Sequence, residues 1–265
     1  MQQIRQYVET RKEQLKAQIA KLERAPFLVI VQVNDDEASN TYIRGKLADA
    51  AEVGINAELL KLPTTISEGE LLDEITALNH DNSVDGFIVQ MPLPKHISEE
   101  KVKQAVGPSK DVDGFHPMSL FNPCTPLGVM NYLTEQGVSF EGKNALVIGR
   151  SNIVGKPMAK LLLQANANVT VVHSRTKEKD LRNYVKNADI IVVAVGIKHF
   201  LNKTFTYKKE AIVVDVGINR QAGITYGDAE SDLPIYFQTP VPGGVGLLTR
   251  LTLLENLLEG YNNGI

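Results

Sequence analysis

Short apolar runs alternating with helix-patterned segments set the limits on what this chain can fold into. "FLVIVQV" (27–33) is a continuous apolar run suited to a buried parallel strand. In "SNTYIRGKLADAAEVGI" (39–55), Ile43, Leu47, Ala50 and Ala51 make an apolar stripe at helical spacing. Ser39 or Asn40 can cap that helix, and Gly54 is placed to end it. "NAELLKL" reads as a second strand, and "SEGELLDEITALNH" (67–80) as a helix whose Ser67 and Glu70 have capping-box spacing. "DGFIVQ" (85–90) is a third strand, stopped by "MPLP". This βαβαβ order predicts a parallel sheet covered by helices.

The second half repeats the grammar. "NALVIG", "NVTVVH", "ADIIVVAVG" and "AIVVDVGIN" are four further buried strands, and "KPMAKLLLQAN" is a helix with Pro157 in its first turn. "VGPSKDVDGFHPMSLFNPCTPLGV", rich in Pro and Gly, reads as a domain junction. The tail "LLTRLTLLENLLEG" is an amphipathic helix able to pack back on the first domain. The expectation is therefore two parallel-sheet α/β domains, one of residues 1–121 plus 250–265 and one of 122–249.

Bulk properties narrow the function. A length of 265 residues allows a sizeable core, and a formal net charge of −3 gives no basic footprint for nucleic acid or a membrane surface. No apolar run approaches the roughly 20 residues of a membrane span. The charged N-terminal helix has no apolar core of a signal peptide. The single cysteine, Cys124, excludes an internal disulfide. A cytoplasmic protein without nucleic-acid or membrane partners is expected.

"VIGRSNIVGKP" runs from a strand through a Gly turn into a helix, the arrangement that places a pyrophosphate at a helix N-terminus in Rossmann-like domains. Ser151 stands at the second glycine position of the usual fingerprint, so an ordinary βα turn is the competing reading. The next strand ends His173, Ser174, Arg175, Thr176, with no carboxylate of the kind that binds an NAD ribose. Arg175 with Arg150 suits a ribose phosphate, which favours NADP over NAD; a solvated loop charge is the bland alternative. "TPVPGGVG" (239–246) is either a ligand loop or a hinge.

Tyr42 and Lys46, four apart, project from one helix face. With Gln90 and Asp113 they fall at strand ends or helix starts, where ligands of parallel sheets gather. A lysine in a partly apolar cleft can act as a base. Taken singly, Lys46 reads as readily as a surface residue paired with Asp49, Gln90 as a strand terminus and Asp113 as a turn former. Cys124 lacks an activating motif and reads as packing. His116 lacks a second ligand at metal spacing, so no metal site is expected.

Taken together, "ASNTYIRGK", "DGFIVQMPLP", "KDVDGFHP", "PCTPLGV", "VIGRSNIVGKP", "VTVVHSRT", "VDVGIN" and "TPVPGGVG" resemble the bifunctional methylenetetrahydrofolate dehydrogenase/methenyltetrahydrofolate cyclohydrolase family. The resemblance implies a folate-binding catalytic domain followed by a Rossmann-like NADP-binding domain in a homodimer, serving one-carbon metabolism and purine biosynthesis. It implies Lys46 as the acid/base group that helps water attack the methenyl carbon, held by Gln90, with Tyr42 stacking on the folate and Asp113 anchoring the pterin. Pro92, Gly243, Gly246 and Thr249 match substrate-contacting positions. Gly149, Arg150, Ser151, Ser174, Ile218 and Thr125 match cofactor-contacting ones.

The chain departs from the family pattern in places. It begins at its first helix without the strand usual before it, and the stretches after "DGFHPMSL" and within "GDAESDLPIYFQTP" are short. Asn34 stands where Gly is favoured, Glu37 where Pro is, and Leu247 and Leu248 where Pro-Met is usual. Alternatives to the bifunctional enzyme are a dehydrogenase with weak or absent cyclohydrolase activity and a non-catalytic folate- or nucleotide-binding paralogue.

Overall fold

The computed structural model describes residues 1–264. It divides into two compact units, one of Met1–Val8 with Thr125–Thr249, the other of Glu9–Cys124 with the chain from Arg250 onward. The first helix, α1 (Ile4–Ile19), therefore contributes its opening residues to one unit and the remainder to the other. Among the described residues no helix is long and apolar enough to cross a membrane.

The unit containing Glu9–Cys124 is built on β1 (Phe27–Gln32), β2 (Asn56–Lys61) and β3 (Gly86–Gln90) in the order β2-β1-β3, all parallel. The apolar run of β1 lies in the middle and is buried throughout after Phe27. Between the strands run α2 (Glu37–Val53) and α3 (Glu68–His80), and α4 (Glu99–Ala105) follows β3. Val29, Val31, Phe87 and Val89 form one core with Leu71 and Ile75 of α3 and Val102 of α4. Gly86 makes room for Val112 and for Leu257 of the last helix, α8 (Val245–Asn262). Asn256 of α8 donates to the Val112 carbonyl at 2.9 Å, so the tail packs back on this sheet.

The capping box of α3 is present: Glu70 N–H donates to Ser67 Oγ at 3.2 Å, and Ser67 N–H to Glu70 Oε2 at 2.8 Å. The start of α2 differs from the expectation. Asp36 is its cap, accepting from Ser39 N–H at 2.8 Å. Asn40 instead accepts from Gln32 at 2.6 Å, and Ser39 Oγ lies 3.4 Å from the Met91 carbonyl, tying the helix start to two strand ends. Glu37 then occupies the first turn, where a carboxylate complements the helix dipole.

The other unit takes in α5 (Cys124–Glu135) from Thr125 on and carries five parallel strands in the order β10-β7-β6-β4-β5. They are β4 (Asn144–Ile148), β5 (Asn168–Val172), β6 (Ile190–Val193), β7 (Ile212–Asp215) and β10 (Phe237–Gln238). Two helices, α6 (Gly155–Gln164) and α7 (Glu178–Asn187), complete two βα repeats. The residues "GINRQAGITY" end the run after β7 with a hairpin, β8 (Asn219–Gln221) and β9 (Ile224–Tyr226). Its two-residue turn has φ +50° at Ala222 and +76° at Gly223, the twist-compatible form. Tyr132 donates to the Gln2 carbonyl at 2.7 Å and meets Tyr7 edge-on at 5.2 Å, which anchors the first residues of α1 here.

Candidate active site

Register places Gln32 and Gln90 side by side at the carboxyl ends of β1 and β3. Gln32 is tied to Asn40 at the head of α2. One turn and a half further along α2, Lys46 is 9% exposed and its Nζ donates to Gln90 Oε1 at 3.0 Å. The Gln90 amide nitrogen is engaged with the Met91 carbonyl at 2.8 Å, which turns its oxygen toward the lysine. Tyr42 is partly buried on the same helix face. The alternative pairing of Lys46 with Asp49 is not made: Lys12 Nζ and Arg250 Nε lie 2.5 and 2.9 Å from the two Asp49 oxygens.

Asp113 reaches this region from a loop shaped by Asp111. The buried Asp111 carboxylate accepts from Gly114 N–H at 3.2 Å and His116 N–H at 2.6 Å. Gly114 has φ +75°, and a Cβ there would stand 2.6 Å from the backbone of Asn122 and Pro123; only glycine fits. The thiol of Cys124, at the head of α5, donates to the Val112 carbonyl at 3.3 Å. Asn34, at the position where glycine was expected, donates to the Pro92 carbonyl at 2.7 Å and so joins the loops after β1 and β3.

Burial pulls the Lys46 amine below its ordinary pKa; the Arg250 charge acts in the same direction, while Asp113 and Cys124 oppose it. Burial pushes the Asp113 carboxyl up, against the influence of Lys46 and Cys124. Burial also raises the Cys124 thiol well above its usual range, so it is no nucleophile near neutral pH. An amine held this way can accept a proton from water, and a neighbouring carboxyl can hydrogen-bond a heterocycle edge.

In the other unit, Gly149 ends β4 with φ +116°, and a Cβ there would collide with the Ala194 carbonyl. A Cβ on Gly155 would collide with the Gly149 carbonyl. The two glycines thus shape a narrow turn of the kind that lets a dinucleotide approach. Ser151 Oγ accepts from the N–H groups of Val154 and Gly155 at 3.2 and 3.3 Å at the start of α6. Because β4 and β5 are paired, the loop carrying Arg150 adjoins the one carrying Ser174 and Arg175, all three exposed. Ile218 is 47% exposed beyond β7. Thr125 and Thr249 share a 2.9 Å hydroxyl hydrogen bond. Gly243 has φ +89°, and Gly246 lies in the first turn of α8. Among the described residues no group of three His, Cys, Asp or Glu side chains is placed to hold a metal.

Two family models cover nearly the entire chain: the catalytic domain of tetrahydrofolate dehydrogenase/cyclohydrolase over residues 2–113, and its NAD(P)-binding domain over 123–264. The chain belongs to the tetrahydrofolate dehydrogenase/cyclohydrolase family. The bifunctional protein FolD of Listeria innocua is 47% identical over 256 residues, spanning 92% of this chain and 89% of its own. Among solved structures, the bifunctional FolD of Campylobacter jejuni is 41% identical with a TM-score of 0.94, covering 98% of both chains. That of Trypanosoma brucei, complexed with NADP cofactor and inhibitor, is 31% identical with a TM-score of 0.93, over 99% of this chain and 97% of its own. As a member of the family, the chain is an enzyme of the bifunctional dehydrogenase/cyclohydrolase kind.

Sequence reasoning passed over Arg250, Asp111 and the engagement of Asp49 by Lys12. One signal was available. Gly45 sits inside a helical pattern, where glycine is unfavourable unless something must come close.

Proposed function

We propose that this chain oxidises 5,10-methylenetetrahydrofolate to the methenyl cation and hydrolyses that cation to 10-formyltetrahydrofolate, with Lys46 as the acid/base group. The observation carrying this is the buried amine bonded to an amide oxygen rather than to a carboxylate. In the hydrolysis, water adds through oxygen to the methenyl carbon and its proton passes to the Lys46 amine. The resulting carbinolamine breaks its bond to N5, which takes a proton back from Lys46, while the hydroxyl proton is released to solvent as the formyl C=O forms. Gln90 fixes the direction of the amine, Asp113 hydrogen-bonds the pterin, and Tyr42 stacks on the folate. Pro92, Gly243, Gly246 and Thr249 complete the substrate contacts. The oxidation needs chiefly proximity and orientation of the two reactants.

NADP, when bound, accepts the hydride. Gly149, Arg150, Ser151, Ser174, Arg175, Ile218 and Thr125 are its contacts in this reading. The exposed cations and hydroxyl after β4 and β5 support a ribose phosphate, hence NADP over NAD. With methylenetetrahydrofolate as substrate, NADP is expected to be reduced faster than NAD, followed by absorbance of the reduced nicotinamide. A faster reaction with NAD would overturn the cofactor assignment. The reading also includes a cytoplasmic location and association of two copies, the association supported by the open edge of β5.

A further inference from the structure

Gly45 stands in the middle of α2, where glycine weakens a helix by roughly 1 kcal/mol relative to alanine. What it admits is the side chain of Arg250 from α8: a Cβ at residue 45 would collide with the Arg250 guanidinium and lie 3.0 Å from its Cζ. Arg250 Nε is 2.9 Å from Asp49 Oδ2, an ion pair whose angle falls short of a directed hydrogen bond. Asp49 Oδ1 accepts from Lys12 Nζ of α1 at 2.5 Å, and Lys12 reaches Glu52 at 2.7 Å. The Asp49 and Arg250 side chains are only 9% and 23% exposed, so salt and water screen this network poorly.

Residues 45 and 49 bracket Lys46. At i,i+3 spacing Asp49 is the helix's own natural partner for that lysine. Cations from α1 and α8 hold Asp49 instead, and the Lys46 amine goes to Gln90. The remaining charged or titratable groups acting on it are Asp113 from its loop, Cys124 from the head of α5, and Arg250 itself.

We propose that Arg250 is a positioning residue for Lys46: seated on Gly45 and paired with Asp49, it withholds that carboxylate from the lysine and sets a second positive charge beside it. The consequence is a lysine kept ready to take a proton from water. The proposal rests on the hydrolytic role given to Lys46 above, but part of its test does not depend on turnover.

The test is the pH titration of the Lys46 amine by NMR of the full chain labelled with carbon-13 at lysine Cε, the signal assigned by its loss in Lys46→Met. It is run beside the pH profile of methenyltetrahydrofolate hydrolysis. In Arg250→Met, both the titration and the rising limb of the profile are expected about one pH unit higher, because a cation is lost and Asp49 is partly released. Arg250→Lys keeps the charge and is expected to restore much of the wild-type profile. Gly45→Ala retains every charge and is favourable to the helix, yet it is expected to move the titration upward by displacing the guanidinium. The proposal is overturned if Arg250→Met folds and Lys46 titrates as in the wild type. It is equally overturned if Arg250→Met does not fold and Gly45→Ala leaves the titration unmoved. A wild-type chain that fails to hydrolyse the cation would instead defeat the functional reading, while the titration still decides the placement of Arg250.

Discussion

Lys46 donates to Gln90 Oε1 at 3.0 Å, and the choice of an amide over a carboxylate decides what the amine can do. An amide oxygen fixes direction without adding charge, so burial is left to lower the amine's proton affinity. Gln90→Glu is nearly isosteric but brings a carboxylate into that contact. The rising limb of the hydrolysis profile is then expected at higher pH, and the rate at neutral pH about tenfold lower or less still. A profile unchanged from wild type would show that Gln90 does not act through the lysine. At this scale the sequence revealed which side chains share a helix face, and little about their partners. The i,i+3 spacing of Lys46 and Asp49 suggested a pair; Lys12 and Arg250 pre-empt it from distant points of the chain. Competition of that sort is invisible to local spacing. The glycine at residue 45 was its only local trace.

Elements were legible where period and caps agreed. The run of β1 is buried almost end to end, and the Ser67–Glu70 box opens α3. The start of α2 was misplaced because Asp36, Ser39 and Asn40 are all capping types, and tertiary bonds to Gln32 and Met91 decide among them. The β8–β9 hairpin lacks the Asn-Gly signal of its turn class, with Ala222 adopting the positive φ that asparagine or glycine usually supplies. β5 has a different consequence. Among the described residues it closes one side of the five-stranded sheet with no strand beyond it, and Val171 on it and Leu163 on the preceding helix are 41% and 64% exposed. An open edge flanked by apolar side chains is a template for pairing with a second copy. Light scattering is expected to give twice the 29.1 kDa mass of one chain, and Leu163→Glu with Val171→Glu to bring it down to one. A wild-type mass of one chain would remove the dimer.

The molecule as a whole distributes its chemistry over two units that the chain visits out of order. Lys46, Gln90, Asp113, Cys124 and Arg250 belong to the unit of Glu9–Cys124 and the residues from Arg250 onward. The glycine turn and the cationic loops belong to the other. The two-sheet architecture was legible because each half carries its own strand-helix alternation. That α1 contributes to both units was not, since its charged pattern carries no mark of where the packing of Tyr7 on Tyr132 gives way to the Lys12–Asp49 contact.

Burying Lys46 also carries a cost in stability near neutral pH. With its folded pKa lowered, the folded state sheds the proton before the unfolded one, so stability from this group rises with pH through the lowered value toward the ordinary lysine value of 10.5. Lys46→Met removes the buried charge, and its thermal unfolding midpoint is expected to equal or exceed that of the wild type. With that midpoint in hand, loss of activity in the variant is separated from loss of fold. The most direct measurement is the decay of methenyltetrahydrofolate absorbance with purified wild type and Lys46→Met side by side. Decay well above the uncatalysed rate is expected with wild type, and a fall of about 100-fold or more in the mutant. Near-normal decay with Lys46→Met, in protein shown to be folded, would contradict the acid/base role of Lys46.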